Sequence, residues 1–438
     1  MLQKFQKHIA NHFYFLEQKK ILVAVSSGID SVVLTHLMVR LNTSNIALAH
    51  CNFKLRGLES DSDEQFVKNL AKKLNVQIFT TLFETKEFAK KNKLSTQVAA
   101  RELRYNWFQK LIEKHNFDYV LTAHNANDNL ETFLINLTRG TGLDGLTGIP
   151  EIANTVVRPL LIFSRKEIFN FAKKNNIEWR EDSSNLETKY TRNKIRHHII
   201  PKLEEINSSL LKNFENTVAY LKESQQIIED RIKEVTKTIQ STHPNKNYLQ
   251  FSINKIQQLS NPKAYLYQIL KPYGFTEWDD VFLLLTAQSG KQVFSKTHRL
   301  LKDREFLLLS KITTADSSKY TINDSQTKVT TPISLSLINT AIKDVENQQT
   351  IYVDKDLLKF PLIVRKWQKG DYFYPKGMQG KKKLSKYFKD EKISLIEKEN
   401  TWLLCSNNCI VWVIEKRQDN RFLATKSSKN ILKISLLK

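Results

Sequence analysis

The sequence predicts an α/β protein with an N-terminal doubly wound parallel sheet, followed by a helical domain and a small α+β C-terminal domain. Three observations carry that expectation. The run Ile21-Leu22-Val23-Ala24-Val25 is continuously apolar and rich in β-branched residues, as a strand buried on both faces requires. It breaks sharply at Ser26-Ser27-Gly28-Ile29-Asp30-Ser31, after which Val32, Val33, Leu34, Leu37 and Met38 resume at helical spacing. Further strand-like runs at Ile46–His50, Gln77–Phe83 and Tyr119–Ala123 alternate with helical stretches such as Ser62–Leu74 and Leu94–Lys114, which is the pattern of βαβ units.

Length and charge narrow the class. A chain of 438 residues exceeds one ordinary core, and Lys+Arg outnumber Asp+Glu by 68 to 45, a net charge of +23. A surplus of that size points first to nucleic acid. No run of about 18 apolar residues is present, and the opening Met1-Leu2-Gln3-Lys4-Phe5 lacks the apolar stretch of a signal peptide, so no membrane association and a cytoplasmic location are expected. Cys51, Cys405 and Cys409 are too few for a disulfide framework. The spacing of the last two, inside an apolar strand-like run, does not suit a metal site.

In a parallel sheet, ligands sit beyond the carboxyl ends of the strands. That rule selects Ser26–Ser31, His50–Gly57, the turn after Phe83 and the stretch from His124 onward. The first loop gathers backbone N–H groups and serine hydroxyls at a helix N-terminus, where phosphate is the natural occupant. It lacks the Gly-Lys-Ser/Thr of a kinase-type loop and the glycine spacing of a dinucleotide fingerprint. The same residues also suit a Ser/Asp-capped turn without a ligand. Arg101 and Arg104 share a helical face and offer two guanidinium forks for phosphate, although surface arginines are the commoner meaning of that spacing. Asp128 and Glu131 fall on adjacent turns of a helix start, suited to Mg²⁺, to an ammonium group or simply to capping.

Arg192 and Arg196, four apart, share a helical face again. The first domain is expected over 1–212. Val218, Leu221, Ile228, Ile232 and Val235 predict a long helix opening a mostly helical domain over 213–311. A Ser/Thr/Asp-rich linker region is expected over 312–350 and a C-terminal α+β domain over 351–438. In that last part, Lys381, Lys382, Lys383 and Lys386 alternate with aromatic residues, a composition that holds RNA phosphates and stacks bases, or that merely forms a solvated face.

Taken together, these residues resemble the tRNA(Ile)-lysidine synthetases of the N-type ATP pyrophosphatase (PP-loop) superfamily. Ser26–Ser31 is similar to the Ser-Gly-Gly-x-Asp-Ser pyrophosphate motif. Ala100-Arg101-x-x-Arg104-Tyr105, Thr122-Ala123-His124 through Asp128 and Glu131-Thr132, Arg139-Gly140-x-Gly142, Arg158-Pro159-Leu160 and Arg192-Asn193-x-Ile195-Arg196 follow in the family's order. The resemblance implies that Ser26, Ser27, Gly28, Ile29, Asp30 and Ser31 bind ATP. It implies catalytic roles for Asp30, Arg101, Arg104, His124, Asp128 and Glu131, and Mg²⁺ on Asp30 and Asp128. Arg192, Arg196 and the four lysines would contact tRNA. The implied reaction adenylates the 2-position oxygen of the wobble cytidine of tRNA(Ile) with anticodon CAU, releasing pyrophosphate; free L-lysine then displaces AMP to give lysidine. A homodimer is compatible with the resemblance.

Several positions depart from the family pattern. Ser27 replaces a glycine, Asn125 and Asn127 stand where His and Asp are usual, and Phe53 stands where a second His is frequent. A 2-thiocytidine synthetase of the same superfamily would need cysteines for sulfur delivery or an iron–sulfur cluster, and no Cys-x-x-Cys is present. A non-catalytic RNA-binding protein on an old nucleotide fold is the alternative from another class.

Overall fold

Ile21–Ala24 (β1) lies at the centre of a six-stranded sheet in the computed structural model, which describes residues 1–41, 45–181, 191–242, 247–312, 318–341 and 347–437. Around it the chain runs α1 (Leu2–His12), β1, α2 (Ile29–Arg40), β2 (Ile46–Asn52), α3 (Leu58–Leu74), β3 (Gln77–Leu82), α4 (Thr85–Asn92), α5 (Thr96–His115), β4 (Tyr119–Leu121) and α6 (Ala126–Thr138). It continues through α7 (Leu143–Leu146), β5 (Ile152–Ala153), β6 (Val156–Val157), α8 (Arg165–Lys174), α9 (Thr191–Lys194), α10 (Ile200–Ile206) and α11 (Leu210–Ile239). The strand order is β3-β2-β1-β4-β6-β5, parallel except for the β5–β6 pair. Successive strands extend to one side of β1 as far as β3, and the chain then crosses to β4 on the other side. The reversal opens a crevice between β1 and β4 at their carboxyl ends.

The apolar run at β1 is divided between two cores, as its two-residue period requires. Ile21, Val23 and Val25 pack with Phe5, Leu34, Leu37, Val67 and Ile168. Leu22 faces the opposite side, with Ala47, Ala49, Phe108, Leu111 and Val120. β6 is only two residues long, because Pro159 brings no N–H to a ladder and the chain turns there.

The chain divides into two compact units, Met1–Asp230 and Arg231–Lys438. The division falls inside α11, the helix that also contains the expected boundary at 212, and the first half of α11 places Phe214 and Val218 against Leu130, Ile195 and Ile200. Val235 and Ile239 at its other end belong to the core of the second unit. That core forms where helices Pro262–Leu270 and Trp278–Leu283 pack on an antiparallel five-stranded sheet, with Tyr248–Ser252, Phe306–Lys311 and His298–Asp303 as its inner strands. The sheet within this mostly helical stretch escaped the sequence reading because short leucine runs such as Phe306-Leu307-Leu308-Leu309 suit a buried strand and a buried helix equally.

The expected linker over 312–350 requires correction. Tyr320–Ile322 pairs with Leu362–Lys366 in a second five-stranded sheet, and Leu335–Thr340 pairs with Ile431–Leu436 in a four-stranded one. Leu335 and Leu337 are buried while Ser336 between them is not, a strand alternation that Ser/Thr-rich composition disguised. Residues 313–317 and 342–346 of the expected linker lie outside the described residues. None of the described helices is long and apolar enough to cross a membrane.

Phe214 meets Phe133 of α6 edge-on, with ring centroids 5.2 Å apart. Phe214→Ala should destabilise Met1–Asp230 by about 3–5 kcal/mol. Calorimetry should show one lowered transition beside one that stays in place; equal lowering of both would mean that the two units unfold as one.

Candidate nucleotide site at the switch point

The turn from β1 into α2 is held by its own side chains. The Ser31 hydroxyl donates to the Gly28 carbonyl at 2.9 Å and accepts the Ser26 N–H at 3.0 Å, with the Ser26 hydroxyl 3.3 Å away. Gly28 has an ordinary φ of −70°, and a Cβ there would meet only the Ser26 hydroxyl at 3.6 Å. Its bareness is therefore not required by the fold and leaves backbone open to a ligand. Ser27, by contrast, holds φ +71°, the left-handed region that favours glycine.

A cavity of about 540 Å³ opens above this turn. Ser26, Gly28, Asp30 and Ser31 form its floor, with Cys51 near the end of β2 and Phe53 just after it, Gln97, Arg104 and Phe108 on α5, and Thr122, His124 and Asp128 beyond the end of β4. Arg192, Asn193 and Arg196 complete the wall. Most of the sequence-selected residues thus meet in one place. Ser27 and Ile29 are buried behind the turn and shape it without lining the cavity.

Three expectations change. Arg101 lies on the exposed face of α5, its guanidinium 4.8 Å from the Tyr105 ring, and does not line the cavity. Arg104 does, and its guanidinium sits 5.3 Å from the Phe53 ring, which stacks on Phe83. Glu131 is 1% exposed and lies behind the arginines, accepting two hydrogen bonds from Arg196 and pairing with Arg192 at 3.4 Å. It therefore anchors the two arginines, and of the two acids only Asp128 lines the cavity. Arg192 and Arg196, expected to contact tRNA, are walls of the same cavity, and Arg196 also reaches Asp128 at 3.3 Å.

The asparagines that depart from the family pattern have specific work. Asn125 caps α6: its side chain accepts the Asp128 N–H at 3.0 Å, and the Asp128 carboxylate accepts the Asn125 N–H at 3.1 Å. Asn125 also hydrogen-bonds the Asp30 side chain. Asn127 accepts the backbone N–H of Arg165 at 2.9 Å, tying α6 to the start of α8 away from the cavity. Its missing charge is thus not missing from the cavity wall.

Burial dominates the electrostatics of these groups. Burial pushes the Asp30 carboxyl up to about 6, and nearby Asp128 pushes it the same way. Asp30 Oδ1 is buried without a hydrogen-bond partner. Burial likewise raises Glu131, against its arginines. His124 is pushed down to about 4, chiefly by burial, so at neutral pH it is an imidazole bonded to the Thr122 hydroxyl at 3.0 Å and not an acid. Burial pushes the Cys51 thiol up to about 12.

Among the described residues no cluster of three or more His, Cys, Asp or Glu could hold a metal ion. Asp30 and Asp128 still fit Mg²⁺, which commonly binds through one or two carboxylates plus substrate phosphates, and the unpartnered Asp30 Oδ1 is a ready ligand atom.

In the second unit, Lys381 lies 3.6 Å from the Tyr372 ring centroid and Lys382 pairs with Asp390 at 2.8 Å. Lys383 and Lys386 are exposed. The sequence reading missed Gln97 and Phe108, whose side chains reach the cavity from α5, and it missed Asp63 and Arg180, which lie outside the cavity and approach the turn from behind. Nothing in their local pattern marks the last two, because they meet across 117 positions of sequence.

Comparison with known proteins follows the same division. Residues 1–203 match a PP-loop domain family, 244–312 the TilS substrate binding domain and 362–436 the TilS substrate C-terminal domain. The chain is 40% identical over 443 residues to the tRNA(Ile)-lysidine synthase of Parabacteroides distasonis, covering all of both chains. It is 37% identical over 434 residues to that of Bacteroides thetaiotaomicron, covering 98% of each. With the synthase of Clostridium tetani it shares 31% over 463 residues, covering 95% of this chain and 94% of the other. Matched along its whole length by these relatives, the chain belongs to the tRNA(Ile)-lysidine synthase family.

Proposed function

We propose that both half-reactions of lysidine formation run in the one cavity between β1 and β4, with Asp128 serving the amine and Glu131 holding the arginines. The family makes the chain a ligase that uses ATP to form lysidine on tRNA(Ile). One observation carries the residue-level reading: the Ser26–Ser31 turn, two cavity-facing carboxylates and Arg104, Arg192 and Arg196 surround a single cavity.

The turn's N–H groups and hydroxyls suit the β- and γ-phosphates of ATP. Mg²⁺ held by Asp30 through its unpartnered Oδ1 would neutralise phosphate charge when bound, which leaves Asp128 for the amine. The cytidine 2-oxygen attacks the α-phosphorus, the bond to the β-phosphate oxygen breaks and pyrophosphate leaves. Arg104, Arg192 and Arg196 stabilise the charge that develops, because their positions are fixed before reaction by Phe53 and Glu131. In the second step the ε-amine of free L-lysine attacks carbon 2 and AMP departs with the oxygen. Asp128, at the cavity wall, binds the ammonium and takes its proton. The RNA is tRNA(Ile) with anticodon CAU in this reading, and the protein acts in the cytoplasm, where ATP, tRNA and lysine meet. The oligomeric state enters none of these steps. Lys381, Lys383 and Lys386 offer phosphate contacts on the second unit, while Lys382 is already paired.

Rapid-quench assays that follow pyrophosphate and lysidine separately test the division. Glu131→Gln should slow both products together, by roughly 10-fold or more, because it loosens the arginines. Asp128→Asn should slow lysidine formation more than pyrophosphate release; equal loss of both products in both variants would make the pair a single metal site.

The raised Asp30 carboxyl has a pH signature. Its folded-state value, about 6, lies above the unfolded value of 3.8, so its contribution to stability is full below pH 3.8 and is lost as pH rises through about 6. Without ATP and Mg²⁺, Asp30→Asn should therefore stabilise the fold at pH 8 by on the order of 2–3 kcal/mol while abolishing turnover. That gain should vanish near pH 4, and thermal melts across the range check it. An unchanged midpoint at pH 8 would contradict the buried charge.

Neutralising Lys383 and Lys386 together should weaken tRNA binding and flatten the slope of log affinity against log salt by about one per lost contact. An unaltered slope would return them to a solvated face.

A further inference from the structure

We propose that Asp63, a buried residue outside the cavity, is a positioning residue for ATP: through Arg180 and Arg56 it clamps the phosphate turn in its binding shape. The inference rests on the reading of Ser26–Ser31 as the ATP phosphate turn.

The need for a clamp lies at Ser27. Its φ of +71° is one that a residue with a Cβ avoids, and the family's usual glycine would adopt it freely. Something in the fold must therefore hold Ser27 there. The Ser27 carbonyl accepts the backbone N–H of Arg180 at 3.1 Å. Arg180 is fixed in turn, its Nε donating to Asp63 Oδ1 at 2.7 Å, and Arg56 Nη2 donates to Asp63 Oδ2 at the same distance. One carboxylate, 6% exposed on α3, thus ties together the end of β1, the segment between β2 and α3, and the chain that follows α8.

None of Asp63, Arg56 and Arg180 lines the cavity, so none touches the reacting groups. A buried carboxylate between two guanidinium groups is also a weak source of net stability, since desolvation offsets much of the attraction. What the arrangement does supply is a fixed place for the Arg180 N–H, and so for the Ser27 carbonyl. With Ser27 released to an ordinary φ, the peptide between Ser27 and Gly28 would turn, and the N–H groups at the start of α2 would no longer converge on one point.

A double-mutant cycle on the full chain tests this, with lysidine formation measured over a range of ATP concentrations. Asp63→Asn keeps the shape and removes the charge. It should raise the KM for ATP by about 10-fold and change kcat much less, because the lost organisation belongs to binding. Ser27→Gly removes the need for the clamp, so in that background Asp63→Asn should raise KM by about 2-fold or less, while its effect on the thermal midpoint stays the same in both backgrounds. Arg180→Gln, at a half-exposed side chain, provides the second arm of the cycle should Asp63→Asn fail to fold. Equal fold-increases in KM with and without Ser27→Gly would overturn the clamp and leave Asp63 a general determinant of the fold. Ser31→Ala distinguishes the two readings. An unaltered ATP KM there would overturn the phosphate-turn assignment and the clamp with it, whereas a raised KM alongside equal Asp63 effects overturns the clamp alone.

Discussion

Asp30 and Asp128 stand close enough at the buried end of the sheet for each to oppose the other's charge, and the rest of the site is arranged around that opposition. Two anions out of water repel strongly unless cations or hydrogen bonds compensate. Asn125 holds both, bonding the Asp30 side chain and the Asp128 backbone, and Arg196 reaches Asp128 from the far wall. The compensation is incomplete, as the raised Asp30 carboxyl and its unpartnered oxygen show. Incompleteness of this kind is what a site for phosphate-bound cations requires, because a fully satisfied pair would have nothing left to offer. The unmet charge costs stability at this point of the fold, and in the proposed reading Mg²⁺ would meet it.

Glu131 extends the same logic one layer outward. A fully buried acid beneath two arginines directs their positive charge into the cavity and keeps both from collapsing onto Asp128 alone. Phe53 does for Arg104 what Glu131 does for the other two, but with an aromatic face in place of a charge. Three arginines around one cavity are thus anchored by two different physical means.

Much of this was legible in the sequence wherever chemistry and local pattern coincide. The β1 run and the turn at Ser26–Ser31 each announce themselves within a few residues, and the ordered motifs identify the family. What stayed hidden depends on direction and distance. Glu131 and Asp128 lie one helical turn apart and look equivalent, yet one faces the cavity and the other is sealed behind it. Arg101 and Arg104 share a face by spacing, but only the second reaches the cavity from α5. Asn127 read as a lost carboxylate, because nothing local shows that its side chain turns toward Arg165. In the second unit, serine and threonine between Leu335 and Thr340 suggested a linker, whereas pairing with Ile431–Leu436, almost a hundred positions later, makes a strand of it.

Cys51 bears on chemical intervention. It lines the cavity between β1 and β4, but burial pushes its thiol up to about 12. Thiolate is the species that alkylating agents and peroxides consume, and almost none exists here at neutral pH. The cavity therefore carries a cysteine without carrying its vulnerability. What the cavity offers a ligand is the charge of Arg104, Arg192 and Arg196 and the carboxylates of Asp30 and Asp128, not this sulfur.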